Sequence, residues 1–85
     1  MSDVNRATMA IIDLIQPILK VEDEQAADKI YYTLMSVMDY PDVKHDDKLS
    51  VINGVSRYLI KNFGVDSPIT LAALVVSAEN NKMLN

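Results

Sequence analysis

Between Ala26 and Met38 the apolar residues Ala26, Ala27, Ile30, Leu34, Val37 and Met38 recur at intervals of three and four. That spacing gathers them on one side of an α-helix and would scatter them over both faces of a strand. Gln25, Asp28, Lys29, Tyr32 and Ser36 fill the opposite, wet side, with Tyr31 and Met35 at the boundary. A similar period runs through most of the chain, and the punctuation that would break helices is sparse. Only two glycines and three prolines occur in 85 residues. The expected fold is all-α, a compact bundle of four helices forming a single domain over residues 1–85.

The first helix is expected from about Val4 to Lys20, with Ser2 or Asp3 able to cap its start. Arg6, Asp13, Gln16 and Lys20 mark its polar stripe, and Ala7, Ala10, Ile11, Ile12, Leu14, Ile15, Ile18 and Leu19 form a wide apolar arc. Pro17 removes one backbone donor, so a kink or break is expected near residues 13–17, and a break would make five helices. The second helix is expected from about Glu22 to Met38, its acidic first turn suiting the helix dipole. Residues 39–47, DYPDVKHDD, read as the main loop. Asp46 or Asp47 is expected to cap the third helix, whose core face is Leu49, Ile52, Val55, Leu59, Ile60 and Phe63. Gly64 is placed to end it in a left-handed conformation. Ser67 followed by Pro68 opens the fourth helix, which reaches residues 79–82. Thr70, Ser77 and Asn81 read as its narrow polar stripe, and the rest of it is apolar nearly all round.

Small size limits what such a chain can bury. A domain of this length removes only about 60–65% of its unfolded surface from water, and small domains are often supported by disulfides, metals or self-association. No cysteine is present, which rules out disulfides, thiolate metal sites and cysteine catalysis. The first and fourth helices carry more apolar surface than a monomer of this size requires. Either the fourth helix is central and surrounded by the others, or the excess forms an interface, which makes a homo-oligomer joined through the apolar surface of helices one and four an expectation.

Composition also narrows function. Twelve acidic residues against eight basic ones give a formal charge of −4, which argues against nucleic-acid binding. The longest charge-free run, residues 67–78, is far shorter than the ~20 residues of a membrane span. The first residues lack a basic signal-peptide region. A cytoplasmic protein with no membrane partner is expected. The sequence holds no glycine-rich phosphate loop, nucleophile elbow or H-E-x-x-H pattern. His45 is the only histidine and sits between charged neighbours with no evident catalytic partner. The acids Asp39, Asp42, Asp46 and Asp47 do not match calcium-loop spacing. No enzyme activity, cofactor or metal is expected.

Binding to another protein is the function this leaves. Small, acidic, cysteine-free helical chains suit inhibitors, antagonists and adaptors, including phage- or plasmid-type ones. The expected contacts are Tyr32, Tyr40, Asp42, Gly54, Arg57, Tyr58 and Lys61, on the wet faces of helices two and three and the intervening loop. Tyrosine brings area with few rotors and a polar tip, and the loop acids can steer a basic partner. Gly54 lies in line with Ser50, Arg57 and Lys61, outside the core face. A glycine inside a helix costs about 1 kcal/mol relative to alanine. It marks the close approach of a partner or anion from the wet side, or a crossing helix of the same fold, or nothing at all. The alternatives to protein binding are an oligomeric binder of a small anion held by Arg57 and Lys61, and a structural assembly component.

Overall fold

The computed structural model describes residues 3–21 and 23–81. The chain forms four helices, α1 (Asp3–Val21), α2 (Ala26–Met38), α3 (His45–Phe63) and α4 (Pro68–Asn81), in the expected all-α bundle. Neighbouring helices are joined by short connections. Leu59 meets Thr70 and Asn53 meets Ser77, so α3 and α4 run antiparallel. α4 packs against both α2 and α3, and α1 packs mainly on α3 from the other side. The α1 and α4 backbones do not approach each other.

One apolar core joins all four helices. Ile15 of α1, Ile30 and Leu34 of α2, Ile52, Val55 and Leu59 of α3 and Val76 of α4 are fully buried. Each such side chain contributes about 1.5–3 kcal/mol by leaving water. The α2 face read from the sequence is the buried one, with Ala26, Ile30, Leu34 and Met38 all inside. Phe63, read as part of the core face of α3, is exposed in its last turn, and so are Ala7, Ala10 and Leu14 of the wide apolar arc of α1.

Several helix ends differ from expectation, for local reasons. α1 continues through Pro17 without a break. The carbonyl that loses its donor belongs to Asp13, an exposed residue whose backbone water can reach. α2 begins at Ala26 rather than Glu22, a residue outside the described part of the chain. The Asp23 carboxylate accepts the Gln25 N–H at 2.9 Å and its carbonyl accepts the Ala26 N–H at 3.1 Å. These bonds hold a turn where a helix would otherwise start. α3 starts one residue before Asp46. Extended Lys44 is its N-cap, without a side-chain hydrogen bond, so Asp46 and Asp47 act as first-turn charges rather than caps. Gly64 ends α3 with φ 84° but ψ 162°, so it lies outside the left-handed helical region. Its N–H still bonds the Ile60 carbonyl at 2.9 Å.

The largest departure is the orientation of α4. Most of the narrow polar stripe read from the sequence faces the core. Thr70 is fully buried and Ser77 nearly so, as is Asn80, while Asn81 alone of the expected stripe is exposed. Each inward group is satisfied. Thr70 Oγ1 donates to the Leu59 carbonyl at 3.3 Å, Ser77 Oγ to Asn53 Oδ1 at 2.7 Å, and Asn80 Nδ2 to the Val76 carbonyl at 2.7 Å. Small side chains let α4 settle between α2 and α3, and hydrogen bonding removes the penalty for burying their polar atoms. Leu71 and Val75 are consequently turned to solvent. No helix among the described residues is long and apolar enough to cross a membrane.

Candidate binding groove

α1 is tied to α3 at two points. Thr8 of α1 lies against Gly54, and a Cβ built on Gly54 would stand 2.7 Å from the Thr8 γ-methyl. Thr8 cannot swing away freely, because its hydroxyl bonds the Val4 carbonyl at 2.8 Å. Two turns further along α1, Gln16 Nε2 donates to the Tyr58 hydroxyl at 2.9 Å. Gly54 therefore does not look outward into water. It is the small residue at the crossing of two helices of this chain.

A groove of about 570 Å³ opens among α1, the end of α2, the following loop and the start of α3. Val4, Ala7 and Ile11 of α1 form one wall, with Val37 of α2 and Val51 of α3 opposite. The end of α2 and the following loop supply the rim, including Tyr40, Asp42 and Val43. Tyr40 is 64% exposed and Val43 42%. Asp42 adopts φ 65°, a region aspartate tolerates better than most residues. Asp47, in the first turn of α3, stands at the mouth.

Lys48 also lines the groove, but its ammonium group is committed. It donates to the Met38 carbonyl at 2.7 Å and the Tyr40 carbonyl at 3.0 Å. The first is a carbonyl that the end of α2 leaves without a partner and the second lies two residues beyond it, so Lys48 secures the rim while its positive charge stays beside the groove. Asp3 is paired with Arg6 at 3.4 Å. Asp42 and Asp47 enter no ion pair among the described residues.

The residues expected from the sequence divide between different places. Tyr40 and Asp42 stand on the groove. Gly54 and the half-buried Tyr58 belong to the contact between α1 and α3. Tyr32 is 68% exposed on the outer side of α2, packed edge-on to Tyr31 with ring centroids 5.5 Å apart. Arg57 and Lys61 are exposed on the outer side of α3. Each of these outward residues sits about 200° around its helix from core neighbours two positions away.

One further contact links α2 to α4. The Tyr31 phenol donates to the Glu79 carboxylate at 3.0 Å, which raises the phenol pKa because ionisation forfeits that bond. Among the described residues no group of three or more His, Cys, Asp or Glu is placed to hold a metal ion. No buried side-chain nitrogen or oxygen among them lacks a hydrogen-bond partner.

The groove walls were missed by sequence reasoning. Ala7 and Ile11 belong to an arc that reads as core with an excess for self-association, and Val4 reads only as the start of the helix. Val43, an aliphatic residue among loop acids, was the one local signal. The class of protein defined by fold and site is a small four-helix bundle with an apolar groove whose rim carries charges of both signs. No known family model matches the chain, and no significant match to it is found among curated proteins or solved structures.

Proposed function

We propose that this chain acts by stoichiometric binding of another protein, as a small inhibitor, antagonist or adaptor without catalytic chemistry, and that the groove is its working surface. The observation that carries this reading is the groove itself. Its walls offer apolar contact area, and exposed Tyr40 stands on its rim as an anchor. A cytoplasmic setting belongs to the same proposal and is supported by the cysteine-free composition. The anion-binding alternative loses its main support, since Thr8 occupies the approach to Gly54.

The reading is tested by capture from the source-cell lysate with the wild-type chain and with Ala7→Arg. Ala7 is exposed, so the substitution blocks the groove while leaving the core intact. A single protein recovered in equimolar amount by the wild type and lost with the variant supports the reading. Recovery of the same proteins by both overturns it.

Self-association is a second reading, favoured by the outward side of α4. Leu71 and Val75 are 48% and 45% exposed there, with exposed Ala78 one turn on and no charge from Ser67 to Ala78.

A further inference from the structure

Gly54 has a second property, set by the residue before it. Asn53–Gly54 is the one Asn–Gly pair in the sequence, since the other glycine, Gly64, follows Phe63. An asparagine side-chain amide can be attacked by the backbone nitrogen of the next residue. Glycine permits that approach best, because no Cβ stands in the way.

The fold withholds this chemistry. Asn53 and Gly54 lie in the middle of α3. Attack requires the Gly54 nitrogen to reach Asn53 Cγ, which turns the Asn53 ψ well away from the helical value of about −42°. The helix ladder also engages the Gly54 N–H. Contacts with two other helices add to this restraint. Asn53 Oδ1 accepts the hydroxyl of buried Ser77 at 2.7 Å, which ties the side chain to α4. Thr8 of α1 lies against Gly54 and is itself held by its bond to the Val4 carbonyl.

We propose that Asn53–Gly54 is a deamidation site gated by the fold, intact while α3 is closed and converted once α3 opens. The Gly54 nitrogen gives its proton to solvent base and bonds to Asn53 Cγ. The bond from Cγ to Nδ2 breaks, and the amide nitrogen leaves as ammonia. Water then opens the cyclic succinimide at either carbonyl, giving aspartate or isoaspartate and one added negative charge. The step uses water alone and involves no change of oxidation state.

The two products differ in what they do to the bundle. Aspartate leaves the main chain unchanged, and its carboxylate can accept the Ser77 hydroxyl as the amide oxygen does. Isoaspartate routes the main chain through the side chain and lengthens the backbone by one carbon at the crossing of α1 and α3. Regular helix geometry has no place for the extra atom. α1 then loses its seat, and with it the groove wall of Val4, Ala7 and Ile11. An episode of unfolding is thereby converted into permanent loss of the groove, whatever the groove binds.

The test incubates the purified full chain at mildly alkaline pH and physiological temperature, folded in buffer and unfolded in urea. Conversion is read by mass spectrometry of the peptide containing Asn53, and isoaspartate by labelling with an isoaspartate-specific methyltransferase. The unfolded chain should convert at least about a hundredfold faster than the folded one, at a rate that follows the unfolded fraction through the urea transition. In urea, Gly54→Ala should slow conversion at least about tenfold, a comparison that does not require the variant to fold. After return to buffer, the separated aspartate form should regain the wild-type unfolding transition, and the isoaspartate form should not. Asn53→Asp, which carries the charge without the backbone change, should fold. Equal rates in the folded and unfolded chains overturn the proposal, as does an unfolded chain in which Asn53 stays intact. An isoaspartate form that refolds with the wild-type transition overturns it as well.

Discussion

At the scale of single residues, Gly54 shows how a local cost can serve a tertiary contact. Alanine in an open helix position should gain about 1 kcal/mol over glycine. Here the added methyl meets Thr8, which is held by its bond to Val4. Gly54→Ala is therefore expected to lower stability. In a Thr8→Ala background, where the obstructing methyl is gone, the same change should raise it. Denaturant unfolding of the four chains gives the coupling directly. A stabilising Gly54→Ala in the wild-type background would remove the crossing explanation. Tyr31 offers a test of a different kind. Its folded-state pKa is raised by the Glu79 bond, so that bond contributes fully below the unfolded value of about 10 and is lost as pH rises through the folded value. The difference in Tm between wild type and Tyr31→Phe should be constant near neutral pH and shrink above about pH 10.

At the scale of elements, α2 and α4 show what sequence can and cannot reveal. In α2 the charged and apolar residues separate cleanly, and long charged side chains such as Lys29 and Asp28 have no route into a core. Its buried face was legible for that reason. In α4 the only polar groups before Glu79 are a threonine and a serine, which can enter a core whenever a carbonyl or amide waits there. The waiting groups, Leu59 O and Asn53 Oδ1, come from another helix, and no pattern within α4 announces them. The groove was illegible on similar grounds. It forms where α1, the end of α2, the following loop and the start of α3 come together, a property of packing rather than of any one helix. Two adjacent residues test the orientation of α4. Val75 is 45% exposed and Val76 is 0% exposed. At concentrations low enough for the chain to be monomeric, Val75→Glu should change stability by no more than about 0.5 kcal/mol, whereas Val76→Glu should cost several kcal/mol and abolish the cooperative transition at ambient temperature. Reversal of that order would mean that α4 is rotated from its described position.

At the scale of the whole molecule, apolar surface is left on opposite sides. Leu14 and Val21 face outward from α1, and Leu71 and Val75 face outward from α4. Their separation has a consequence for assembly. Pairing of α1 with α4 of another copy would be head-to-tail and would propagate into open chains unless the rotation closed. Pairing of α4 with α4 would be isologous and stop at a dimer. The α4 face is the more suitable for the closed arrangement, because Ser67 to Ala78 contains no charge to desolvate or repel across a two-fold axis. α1 instead carries Arg6, Asp13 and Lys20 beside its apolar arc. Sedimentation over a range of concentrations should therefore show a monomer–dimer equilibrium and no higher species. Leu71→Glu with Val75→Glu should return the chain to monomer, since burying two carboxylates beside their symmetry copies is strongly unfavourable. Ala7→Arg, on the groove at the far side of the bundle, should leave the equilibrium unchanged. A strict monomer at all concentrations would end the self-association reading, and open-ended growth would shift it from α4 alone to the pairing of α1 with α4.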